Sequence, residues 1–146
     1  MPFSAPDTQY RILNVKSVWR PTIDHNCDCS KDNRLIFFFR GCESEYTICG
    51  EKPNIDNLTL LFLPKGAQYR HKANREKVIY ISFDAVGEIP EAHFTVNSHI
   101  FVPLFRDLAF TWLSKPSGSA VHAYSVFYTI LDLIHSMRRE NAENPQ

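Results

Sequence analysis

The stretch Asn57–Phe83, NLTLLFLPKGAQYRHKANREKVIYISF, decides the fold class. Leu58–Leu63 and Val78–Phe83 are short runs of aliphatic, aromatic and β-branched side chains, bounded by turn formers. That pattern reads as strand rather than helix. The first run enters from an Asp56-Asn57 turn and stops at Pro64-Lys65-Gly66. A short strand around Gln68–Lys72 follows, and a polar turn, Ala73–Lys77, is expected before the second run. Side chains alternate across a strand, so Val78, Tyr80 and Ser82 share one face while Ile79, Ile81 and Phe83 share the other. The second set is wholly apolar and predicts a packed side, which leaves the mixed set to line a cavity.

Toward the N-terminus the same punctuation recurs. Residues 1–10 form a polar arm. A strand is predicted over 11–20 (RILNVKSVWR), stopping at Pro21. The next segment, TIDHNCDCSKDN, is dense in turn formers and reads as a loop. Arg34–Arg40 (RLIFFFR) is a continuous apolar run, expected to be buried on both faces and ended by Gly41. Ser44–Cys49 is closed by Gly50. His93–Val96 and Ile100–Val102 complete roughly seven or eight short strands at about ten-residue spacing, a sandwich or barrel rather than a βαβ fold.

Beyond residue 102 the period changes. Leu104, Phe105, Leu108, Ala109, Trp112 and Leu113 form one helical stripe. Lys115–Ser119 breaks it, and Ser119 can cap a second helix. That helix carries Val121, Tyr124, Phe127, Ile130, Leu131, Ile134 and Met137. Val126 and Leu133 widen its apolar surface beyond one contact, so Tyr124, Phe127, Ile130, Leu131 and Ile134 are expected to pair two chains as a homodimer. The resulting division is an arm (1–10), a barrel (11–102), a helical hairpin (103–139) and a linker-like tail (140–146).

The 146 residues, 44% of them hydrophobic, suffice for one core without staples. Sixteen basic residues balance sixteen acidic ones, and a domain that grips nucleic acid by its phosphates carries a basic excess. The polar start MPFSAPDTQYR lacks the apolar segment of a secretory signal. No run approaches the ~20 apolar residues of a membrane span. The four cysteines then read as free thiols in the cytoplasm.

Catalytic signatures are sparse. A catalytic metal needs neutral imidazoles and a carboxylate brought close together. His71 has no such neighbour, and Glu76 falls in the expected charged turn. Cys27 and Cys29 are separated by one residue, where structural zinc prefers two. Neither a nucleophile elbow nor a glycine-rich phosphate loop is present. The expectation is therefore a binding protein without metal or cofactor, not an enzyme. Its pocket combines aromatic faces with directed polar groups: Trp19, Arg20, His71, Val78, Tyr80 and Ser82.

Taken in order, Arg34–Gly41 (RLIFFFRG), Asn57–His71 (NLTLLFLPKGAQYRH), Val78–Asp84 (VIYISFD) and the helical pair opening VPLFRDLAFTWL resemble the N-terminal effector-binding and dimerisation domain of AraC-family transcription regulators. The resemblance covers about residues 10–139. It implies a cupin-like β-barrel (jelly roll) followed by an antiparallel two-helix hairpin, with a small polar effector such as a sugar inside the barrel. It also implies that DNA is reached only through a helix-turn-helix region outside this chain. Two other readings stay open: a free-standing carbohydrate-binding module of cupin type, and a metal-dependent sugar isomerase.

Overall fold

The computed structural model describes residues 9–27, 29–86, 92–114 and 119–143. Strands β1 (Tyr10–Arg20), β2 (Ile23–Cys27), β3 (Asn33–Phe38), β4 (Glu43–Ile48), β5 (Thr59–Leu63), β6 (Tyr69–Ala85) and β7 (Phe94–Asn97) precede helices α1 (Phe101–Ser114) and α2 (Ser119–Glu143). All strand pairings are antiparallel. The molecule is mainly β with two C-terminal helices. In the principal sheet the order is β1-β6-β3-β5-β7, with β2 and β4 added along β6. Among the described residues β1 and β7 do not pair, so the sheet stays open at both edges.

The 17-residue β6 is the spine. Its C-terminal half pairs with β1 and β3, its N-terminal half with β2 and β4. The polar turn expected over Ala73–Lys77 does not exist: the chain stays extended through it. Strands on both flanks pair with its backbone, and the exposed residues Lys72, Asn74, Arg75 and Lys77 keep their polar groups in solvent. The loop expected after Pro21 likewise contains β2. Proline interrupts the pairing at one point, and the chain then continues along β6 in the same register, from Arg20↔Glu76 to Ile23↔Ala73.

One irregularity in β6 decides where side chains point. Glu43 faces Arg75 but Ser44 faces Ala73, so Asn74 is an extra residue against β4. Such a bulge reverses the alternation. His71 and Ala73 on one side of it are buried, and so are Glu76 and Val78 on the other.

Turn chemistry follows the backbone. Cys49 and Gly50 both take positive φ (49° and 83°), and Ile48 and Glu51 exchange N–H···O bonds of 2.7 and 2.9 Å. This is the two-residue turn whose twist matches a hairpin. Gly66 (φ 87°) lets Ala67 N–H reach the Pro64 carbonyl at 3.2 Å.

Two cores flank the sheet. On one side Leu35, Phe37, Leu60, Phe62, Ile79, Ile81 and Phe83 pack against Phe101, Phe105, Leu108, Phe127, Ile130 and Ile134 of the helices. Phe37 stacks on Phe105 with centroids 5.2 Å apart. On the other side Ile36, Phe38, Leu61, Leu63 and Val78 gather with Tyr46 and Ile48. β3 is therefore apolar on both faces because each face has its own core. The final strand expected at Ile100–Val102 is instead the start of α1, where Pro103 falls within the first turn, a position that needs no backbone donor. α2 continues through the polar residues 140–143 that read as the start of a tail. Among the described residues no helix is long and apolar enough to cross a membrane.

A polar cavity on the concave face of the sheet

Where β6 passes from one half of the sheet to the other, the concave face holds a partly open cavity of about 640 Å³. Pockets for small molecules run from roughly 300 to 1,000 Å³. Its floor is Ile36, Leu63 and Val78, and its walls carry Arg20, Arg34, Tyr46, Tyr69, His71, Glu76 and Tyr80.

The centre of the polar wall is a hydrogen-bonded pair. His71 Nε2 and Glu76 Oε2 are in direct contact, and the two residues are only 6% and 3% exposed. The bulge at Asn74 is what aims both inward. Ser44 Oγ donates to the same carboxylate oxygen at 3.2 Å. The Tyr46 ring lies parallel to the imidazole with centroids 4.2 Å apart, a direct cross-strand pair between β4 and β6. Tyr69 stacks on the other flank of Tyr46 at 6.0 Å.

Burial above all, then the nearby Glu76 carboxylate, pushes the Tyr46 phenol well above its ordinary value, with Tyr69 adding to the shift. Arg34 and Arg20 act in the opposite sense, so both guanidinium groups are felt at this ring. Arg34 lies over the Tyr80 ring, 5.0 Å from its centroid. The rim carries Asp24, paired with Arg70 at 3.2 Å.

Of the six residues expected at a pocket, Arg20, His71, Val78 and Tyr80 come together here. Trp19 does not. It is 69% exposed and outside the cavity lining, because alternation along β1 gives the inward positions to Val18 and Arg20. Ser82 is buried farther along β6, beyond the lining. The sequence reading missed Arg34, Tyr46, Tyr69 and Glu76.

The helix residues expected between two chains are also placed differently. Phe127, Ile130, Leu131 and Ile134 are buried in the core of their own chain. Tyr124 packs against that core, and its hydroxyl accepts the Ile12 N–H at 2.9 Å. The wide apolar surface of α2 covers the sheet, with Phe127, Ile130, Leu131 and Ile134 turned into it and Tyr124 half-buried at its margin.

Among the described residues no group of three or more His, Cys, Asp or Glu side chains could hold a metal ion. Fold and cavity together define an antiparallel β protein with a polar, aromatic-walled cavity on one face of its sheet and a helical hairpin on the other. No model of a known protein family matches the chain, and no curated protein matches it either.

Proposed function

We propose that this chain is a ligand-sensing domain, of the kind found at the N-terminus of AraC-type transcription regulators, and that a small polar effector occupies the cavity. The observation that carries this reading is the cavity wall. Rings (Tyr46, Tyr69, Tyr80) alternate with directed polar groups (Arg20, Arg34, His71, Glu76) on a sheet whose other face packs an apolar core against the helices. Planar rings plus a few fixed hydrogen-bonding groups are what hydroxyl-rich molecules such as sugars require. The open sheet, in this reading, is a cupin-like barrel, and its task is binding rather than turnover. A formal net charge of zero supports assigning DNA contact to a separate helix-turn-helix region. Pairing of two chains belongs to the same reading. It would use the helix side chains left exposed, Phe110, Leu113 and Val121.

The test is a thermal-shift screen of sugars and related polar metabolites on the purified chain. Tyr80→Ala and His71→Ala are each expected to weaken any stabilising ligand tenfold or more, as loss of a partner in a desolvated site costs about 1–3 kcal/mol. Circular dichroism checks that the fold survives. Native affinity in both variants would place the ligand elsewhere and remove the basis of the reading.

A further inference from the structure

The charges in the cavity do not balance. Two carboxylates line it, and both are engaged: Glu76 by His71 and Ser44, Asp24 by Arg70. The cations Arg20, Lys31 and Arg34 line it too and have no acidic partner among the described residues. Arg34 is the most telling. It stands on the inward face of β3, in phase with Ile36 and Phe38. Its Nε is buried and has no hydrogen-bond partner among the described residues. A guanidinium stays charged and offers five N–H donors in a fixed fork. A buried donor of that kind is expensive unless an acceptor meets it, and a carboxylate meets it with two parallel bonds. The Tyr80 ring, its centroid 5.0 Å from the Arg34 guanidinium carbon, attracts the cation but supplies no acceptor of this kind.

Resting on the reading of the cavity as a ligand site, we propose that its ligand is a small organic anion whose carboxylate binds at Arg34 while its hydroxyl-bearing end faces the His71–Glu76 pair and the neighbouring Arg20. Arg34, opposite Ser82, and the His71–Glu76 pair, beside Arg20, then have separate roles. Arg34 reads charge. His71 and Glu76, one able to donate and the other to accept, read hydroxyls, with Tyr46 behind them. A sugar acid or a hydroxy acid fits this division, whereas a neutral sugar leaves Arg34 unmet.

The experiment compares matched compounds by thermal shift and calorimetry at constant ionic strength. D-Glucuronate, D-galacturonate, D-gluconate, 2-oxoglutarate and formate are set against D-glucose, D-galactose and D-glucitol. Expected is stabilisation by at least one hydroxylated acid, with its neutral counterpart at least tenfold weaker. Arg34→Gln should remove most of that preference, while Arg11→Gln, in an exposed pair with Asp84, leaves it intact. Neutral sugars binding as tightly as their acids, with Arg34→Gln without effect, would overturn the anion proposal and leave the ligand cavity standing. Absence of any shift across the whole panel would overturn both.

Discussion

Tyr46 gives the cavity a titration that can be followed without any ligand. Its phenol, buried and facing Glu76, holds its proton to higher pH in the folded chain than in the unfolded one. The stability this contributes is complete below the unfolded value of about 10 and is lost as pH rises beyond it. Tyr46→Phe removes the titrating group, so its melting temperature is expected to fall less steeply than that of the native chain in strongly alkaline buffer. Equal alkaline slopes would mean that another group titrates. At this scale the sequence was readable for residues in unbroken alternation. Tyr80 follows from its phase with Val78, and Arg34 was available by the same argument from its phase with Ile36 and Phe38. Glu76 shares the phase of Val78 too and was hidden only by its turn-like neighbours Asn74, Arg75 and Lys77, whereas it is His71 that the extra residue in β6 brings onto the same face.

Among the elements, β1 shows how an edge strand is covered. Its outward N–H groups at Tyr10 and Ile12 donate to the hydroxyls of Tyr128 (3.3 Å) and Tyr124 (2.9 Å) on α2. Unpaired edge groups invite another chain, and here two phenols occupy them. Tyr124→Phe keeps the ring and deletes the acceptor. The expected cost is about 1 kcal/mol, with faster amide exchange at Ile12 as the specific sign. Unchanged exchange there would show that the hydroxyl does not hold the strand. β3, β5 and both helices were legible because each has a period and a stop signal. β2 and the full length of β6 were not. Their polar middles match turn composition, and what keeps them extended is pairing with residues far away in the chain, which no local window contains.

For the molecule as a whole, the decisive fact is that the helices serve as one wall of the core. Phe127 touches Phe83 and Tyr10 and is fully buried. Phe127→Glu is therefore expected to abolish the cooperative thermal transition, because it buries an unpaired charge. Phe110, 75% exposed on α1, belongs to a different surface. Phe110→Glu is expected to keep the melting temperature. If two chains pair as proposed, it should also lower the mass seen by light scattering toward that of a monomer. A native chain that is monomeric at high concentration would end the pairing proposal, and a folded Phe127→Glu variant would contradict the core. The width of α2 suggested a pairing surface, but width alone cannot say whether a sheet or a second copy covers it.

The extra residue at Asn74 bears on how such a chain can change over time. Most exposed positions in a strand tolerate exchange of one amino acid for another, and Asn74, with its side chain in solvent, should be permissive in that sense. Its presence, however, sets the phase between the two halves of β6. Losing one codon there would rotate His71 away from Glu76 and strand a carboxylate in the interior, although no cavity residue had been altered. The cavity is thus guarded less by the identity of its neighbours than by the count of residues between them, and a single in-frame deletion would do what few substitutions at that site could.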